Sequence, residues 1–547
     1  MTDTTGMTET TGAARTTVRD CVLRLCRDTG MTTVFGNPGS TELRMFRDWP
    51  DDFSYVLGLQ ESLAVAMAAG HAVGTDRAAL VSLHSAAGTG HALGAVFNAY
   101  HDRVPLVIVA GQQSRALIQL RPFLGADEPA QFPRPYVKFS RQPDRASDVP
   151  AVLAEAHRIA MTHPRGPVFV SVPEDDWDRP AEPVAPRTVH GAFTADPEAL
   201  AALAARLESC ARPALIVGPG VDDEHALPEV RVLAERMRAA VWISPLSGRS
   251  GFPESHPLFQ GFLPPVADQL AARLEAYDVV VALGAPLFTY HVHTEGRLFP
   301  ATTELFHLDC DPAQAAWLPT GTSIITTLKP ALAQLAAQVG ESDRKPPPLH
   351  PTPAEAAGDN LTPELVFDLL RNRLPRDRVL VEETPSHRDA LHARVPIEVT
   401  GGFLTTGSGA LGWGLPLAVG RALADRRRLV CVVGDGSALY SVQALWTAAQ
   451  HRAPVTYILL DNSGYAAVRA LGRRIGIAPV PGTSIEGIDF GALAGSFGCP
   501  ASYVADPRDL SAAVDQALAL GDDAGPHLLH IRLTGTGTDT ALYGSGP

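Results

Sequence analysis

Several things are scarce in this chain. Its six cysteines (Cys21, Cys26, Cys210, Cys310, Cys431 and Cys499) never fall in a CxxC spacing. That argues against a thiolate metal knuckle or a dithiol redox motif, and reads as free thiols in a cytoplasmic protein. No apolar run reaches the about 18 residues that would cross a bilayer, so no membrane partner is expected. Residues 1–16, rich in Thr and Gly, lack a basic start followed by an apolar core, so they read as a disordered tail and not as a secretory signal. Basic charge is in deficit: 45 Lys and Arg stand against 59 Asp and Glu, a net charge of −14. That argues against nucleic acid as a partner. The GPG of PALIVGPGV is too short for a dinucleotide fingerprint, and no GxGxxG with a downstream acid occurs, so no NAD or FAD site is expected to function.

What remains is an alternation of apolar strands and amphipathic helices in three segments. The 547 residues allow about three or four domains. Pro-rich stretches divide them into units over 17–185, 192–340 and 359–540, with a polar linker over 341–358. Each unit reads as α/β, a doubly wound parallel sheet with helices on both faces.

The third unit carries the densest chemistry. The buried run Leu429 to Val433 ends in Gly434-Asp435-Gly436-Ser437, and a helical pattern follows through Leu439, Val442, Leu445, Trp446 and Ala449. A second buried run, Val455 to Leu460, ends in Asp461-Asn462-Ser463-Gly464-Tyr465. Open parallel sheets bind ligands at the carboxyl ends of their strands. Free N–H groups at a helix start favour phosphate. Asp435 and Asn462 offer the hard oxygens that suit Mg²⁺, or Ca²⁺. A divalent ion bridging these two residues and a diphosphate is the economical reading; an ordinary strand-to-helix turn with Asp435 as cap is the plain one.

Three further strand ends stand out. In VFGNPGSTEL a strand runs into Asn37-Pro38-Gly39, then a helix with Ser40 where a cap would sit. Glu61 opens the Ala-rich helix of LQESLAVAMAAG, where an ionised carboxylate among apolar neighbours is costly; a first-turn Glu favoured by the helix dipole is the alternative. His84 closes the strand ALVSLH, in a position parallel to Ser40, and His291 follows the strand VVVALGAPLFTY. Taken alone, His84 is more often a satisfied loop histidine than a catalyst, and His291 reads as a loop histidine or as one of an alternating pair with His293.

GDGS followed about 27 residues later by DN, together with FGNPGS, LQE, LHSAAGTG, AGQQ, PRPYVKFS, GPVFVSVPEDDWD, GAPLFTYH and ALWTAAQ, resembles the thiamine-diphosphate-dependent 2-oxo acid decarboxylases, in their benzoylformate decarboxylase branch. The likeness runs from about Val34 to Arg532. It implies three α/β domains: pyrimidine-binding, central and diphosphate-binding. It implies thiamine diphosphate held through Mg²⁺ by Asp435, Asn462 and the Gly464 carbonyl. Thr384, Pro385, Ser386, Gly434, Gly436, Ser437, Tyr440, Tyr465 and Ala466 would line the cofactor. The Gly409 carbonyl would accept from its 4′-amino group, and Leu411 would bend it. Glu61 would bond the pyrimidine ring, His84 and His291 would move protons, and Ser40 would meet the substrate carboxylate. The likeness also implies a homodimer, paired into a tetramer, with the Glu61 half of each site from one subunit and the Gly434–Tyr465 half from its partner.

The sequence departs from that branch at the substrate ring. Thr405, Ala470 and Leu471 stand where aromatics are expected, with Pro38, Gly39, Phe123 and Leu124 as remaining lining. The expected reaction is non-oxidative decarboxylation of an aryl- or bulky alkyl-glyoxylate to an aldehyde. The alternative is a carboligase of acyloin or acetolactate type, which keeps the same intermediate for a second carbonyl.

Overall fold

The computed structural model describes residues 16–185 and 187–534. The expected N-terminal tail lies almost wholly outside them. Three six-stranded sheets form, and every strand pairing in them is parallel. Their strands are nearly continuous apolar runs, such as Ala79–Leu83, Val279–Leu283 and Val455–Asp461, each buried along its whole length. Such runs fit strands covered by helices on both faces.

Numbered within each sheet, the first and third share one strand order, 2-1-3-4-6-5. The middle sheet runs 3-2-1-4-5-6. In the 2-1-3-4 arrangement the chain reverses direction of travel between strands 1 and 3, opening a crevice beyond their carboxyl ends. In the first sheet those strands are Thr33–Gly36 and Ala79–Leu83. In the third they are Leu380–Glu383 and Leu429–Gly434. The motifs singled out in the sequence sit at these two points.

The outer units are locked by one helix pair. Helix Glu61–Thr75 packs along helix Gly414–Asp425, and their apolar residues share one core cluster with both sheets. The approach is so close that a Cβ on Gly420 would lie 1.7 Å from the Met67 carbonyl oxygen, and one on Gly70 2.0 Å from that of Leu417. Only glycine admits backbone to backbone at this range.

Two local expectations fail. Ser40 is not a cap: Gly39 precedes a three-residue 3₁₀ turn, Ser40–Glu42, and no α-helix follows it. The long helix after GDGS is broken into Asp435–Ala438 and Ala444–Gln450. Across the break Tyr440, Ser441, Ala444 and Leu445 donate three residues back, which tightens the chain into 3₁₀ turns.

Candidate active site

At the crevice of the third sheet lies a cavity of about 350 Å³. Its walls are Glu383–Ser386 after one strand, Gly434–Ser437 after the next, and Asn462, Gly464 and Tyr465 after the third. Gly409 and Leu411 close one side, and Leu246 and His291 reach in from the central unit. Leu471, Val468 and Ala467 add an apolar wall from helix Ala466–Arg474.

The polar groups point to a cation and an oxyanion. Asp435 opens its short helix, and its carboxylate accepts from the Gly464 N–H at 2.7 Å. Burial raises its pKa, against the lowering effect of the Gly436 and Gly464 N–H groups. Asn462 Nδ2 bonds His387 Nε2 at 3.1 Å, whereas its Oδ1 is buried with no hydrogen-bond partner among the described residues. Thr384 Oγ1 is buried and equally unpartnered. Buried polar atoms are ordinarily paired, so two unpartnered oxygens in one crevice are free to meet a ligand there. The Gly464 carbonyl accepts from Ala466 N–H at 3.0 Å and keeps a second lone pair. These oxygens fit Mg²⁺ carrying a diphosphate, with Thr384 on the phosphate side.

The glycine-rich loop beside them is held from two directions. Glu383 accepts from Gly412 and Gly414 N–H, both at 2.6 Å, and burial pushes its carboxyl up to about 7. From the first unit, Asn98 Oδ1 accepts from Thr406 Oγ1, Asn98 Nδ2 donates to the Ala410 carbonyl at 3.0 Å, and Asp102 accepts from Gly407 N–H at 3.0 Å. These residues lie near and just beyond the C-terminal end of helix Ser85–His101, whose N-cap is His84.

The second group gathers at the crevice of the first sheet. His84 Nδ1 lies 3.1 Å from both Glu42 Oε2 and Thr41 Oγ1, and Glu42 also accepts from Gly39 N–H at 2.9 Å. Burial raises the Glu42 carboxyl above its ordinary range. A Cβ on Gly39 would sit 2.1 Å from the His84 ring, so glycine there lets the imidazole close over the turn. Glu61 is buried, with Asn37 Nδ2 at 3.3 Å on one oxygen and His91 Nδ1 at 3.1 Å on the other.

The structure divides the expected residues. Within one chain Glu61, Ser40, His84, Pro38, Gly39, Phe123 and Leu124 do not line the cavity that holds Asp435. Phe123 is 85% exposed. Thr405 is corrected outright: its hydroxyl donates to Glu382 Oε2 and accepts from Arg388, both at 2.8 Å, behind the cavity wall. A hydroxyl beside a buried ion pair is worth more bonded to it than facing substrate. Tyr440 and Ala466 flank the cavity without lining it. Sequence reasoning missed Glu42, His91, His387 and Arg388. Glu42 carried a signal, since a Glu three residues after Gly39 has capping-box spacing. The others carried none: the partners of His91 and His387 lie 30 and 75 positions away, and Arg388 reaches Glu382 and Thr405, 6 and 17 positions away, with no local pattern linking the three. One further group, His163, Glu224 and Cys310, has metal-like spacing. Arg103 already donates to Cys310 and Arg165 faces the adjoining Asp223, so protein cations hold that charge.

Three family descriptions match along the chain: Thiamine pyrophosphate enzyme, N-terminal TPP binding domain over 16–131, central domain over 200–335, and C-terminal TPP binding domain over 386–531. The chain belongs to the thiamine pyrophosphate enzymes. Within this family it is 41% identical over 510 residues to benzoylformate decarboxylase of Pseudomonas aeruginosa, covering 92% of this chain and 97% of that protein. It is 26% identical over 532 residues to the acetolactate synthase isozyme 2 large subunit of Escherichia coli, covering 94% of each. Among solved structures, a 4-hydroxybenzoylformate decarboxylase of Rhodococcus jostii superposes with a TM-score of 0.91 at 38% identity, over 95% of this chain and 99% of that one. Benzoylformate decarboxylase from Polynucleobacter necessarius superposes with 0.91 at 34%, over 95% and 98%. The three parallel sheets are the three domains of this thiamine pyrophosphate enzyme.

Proposed function

We propose that the chain decarboxylates an aryl- or bulky alkyl-substituted 2-oxo acid to an aldehyde, using thiamine diphosphate and Mg²⁺. The observation that carries this reading is the pair of unpartnered buried oxygens, Asn462 Oδ1 and Thr384 Oγ1, in the crevice that His291 enters. The close likeness to benzoylformate decarboxylases supports the substrate class. The cofactor, when bound, supplies a carbon nucleophile and an electron sink for the pair left by carbon dioxide.

The protein's part is to hold and move protons. Asp435, Asn462 and the Gly464 carbonyl would take the metal, and Thr384 and Ser386 the diphosphate. Glu61 sits between Asn37 and His91 and would bond the pyrimidine ring nitrogen; a proton placed on that nitrogen would favour the imino form of the ring's amino group, which can then accept a proton. His84, backed by Glu42, and His291, from the central unit, would serve as the proton donor and acceptor for the product carbon and the hydroxyl. Ser40 would orient the carboxylate. Because the Glu61 group and the Asp435 cavity are separate within one chain, the working site is assembled from two chains, and a homodimer is its smallest form. The apolar wall of Val468 and Leu471 suits an aryl or branched side chain better than a charged one.

Incubation with a panel of 2-oxo acids, with and without added aldehyde, tests the reading. Aldehyde and carbon dioxide in equal amounts from phenyl- or 4-hydroxyphenylglyoxylate are expected. Acyloin or acetolactate as the main product without added acceptor would replace the decarboxylase with a carboligase.

A further inference from the structure

Asn462 can serve a cation only if its amide faces one way. Its two ends differ by one atom, and turned over it would aim two N–H donors at the metal. Something must decide the orientation, and His387 Nε2 lies 3.1 Å from Nδ2. We propose that His387 is a positioning residue, whose neutral ring presents Nε2 as an acceptor to the Asn462 amide and so commits Oδ1 to the metal. This rests on reading Asp435 and Asn462 as the metal ligands.

The placement of His387 supports the role. It closes the turn Thr384–His387, in which its own N–H donates to the Thr384 carbonyl at 2.8 Å. In the same turn Ser386 Oγ accepts from Ala467 N–H at 3.0 Å, which ties the turn to the segment after Asn462. One loop therefore offers hydroxyls on the phosphate side and an imidazole behind the metal side. For Nε2 to accept, the ring proton must reside on Nδ1. Oδ1, left with no partner among the described residues, is the end on which a cation would be bound. Such outer contacts commonly change metal affinity by about 10- to 100-fold.

The test measures Mg²⁺, not turnover. Titrate Mg²⁺ into the full-length protein at fixed thiamine diphosphate and follow cofactor binding by calorimetry or tryptophan fluorescence. H387F should raise the half-saturating Mg²⁺ concentration about 10-fold or more. H387Q, which can still accept through its side-chain carbonyl, should stay within about 3-fold of the parent. In an N462D background a carboxylate presents oxygen either way round, so H387F should then matter little. Equal losses from H387F in both backgrounds, or no loss in either, would overturn the proposal; should H387F not fold, H387L carries the same comparison. D435A separates the two readings. If it raises the half-saturating Mg²⁺ concentration while H387F behaves as the parent, only the role of His387 fails. If D435A leaves Mg²⁺ dependence intact, the metal centre itself is misassigned.

Discussion

Asp435 and Glu61 are both buried carboxylic acids at a helix start, yet their neighbours set them to different tasks. Asp435 is surrounded by backbone N–H groups and unpartnered oxygens, a setting for a carboxylate on a cation. D435A is expected to lower thiamine diphosphate retention by at least about 10-fold at limiting Mg²⁺, read by equilibrium dialysis. Excess Mg²⁺ should restore part of it. Glu61 is flanked by an amide and an imidazole, a setting for a carboxyl that bonds a ring nitrogen. E61Q should keep the fold and the cofactor but slow exchange of the thiazolium C2 proton by about 10²–10⁴-fold, measured by quenched-flow NMR. Unchanged exchange would remove Glu61 from its role.

At the scale of elements, the helix pair that joins the outer units is the least forgiving contact. A methyl on Gly420 would overlap the Met67 carbonyl, which no rotamer change can relieve. G420A should destabilise the protein by about 3 kcal/mol or more, seen as a lower denaturant midpoint. A normal midpoint would mean that the two helices can slide. The elements also show where sequence reading reaches and where it stops. Parallel sheets were legible because buried runs such as Val279–Leu283 and Leu429–Gly434 alternate with helices. Asp435 and Asn462 could be singled out because each directly follows a buried strand. The break after Ala438 was not, since Leu439, Val442 and Leu445 keep a helical period while hydrogen bonds tighten to three residues. Thr405 was misread for the same reason: its fate depends on Arg388 and Glu382, which no local pattern links to it.

For the whole molecule, the division of residues between two crevices has a sharp consequence if sites are shared. In a mixed dimer of E61Q and D435A chains one site carries both lesions and the other neither. Co-refolding equal amounts of the two inactive proteins should recover about a quarter of parental activity. No recovery would place both halves in one chain. Stability should also respond to pH through Glu254, which lies at the seam where its N–H donates to the Ile397 carbonyl. Burial pushes this carboxyl from 4.5 up to about 8. A folded value above the unfolded one means full stability below about 4.5, lost steadily as pH rises toward 8. E254Q should therefore flatten the pH dependence of thermal unfolding, and at pH 8 exceed the parent by about 1–3 kcal/mol.

Helix Ser85–His101 has His84 at one end and the tethers to the Thr406–Ala410 loop at the other. Seventeen residues at helical rise make a rod of about 25 Å. It acts as a ruler: one residue added or removed would rotate its far end by about 100° relative to the near one. The imidazole and the loop could then not both stay in place. The length of this helix is thus fixed by two remote fittings at once, a constraint that neither would impose alone.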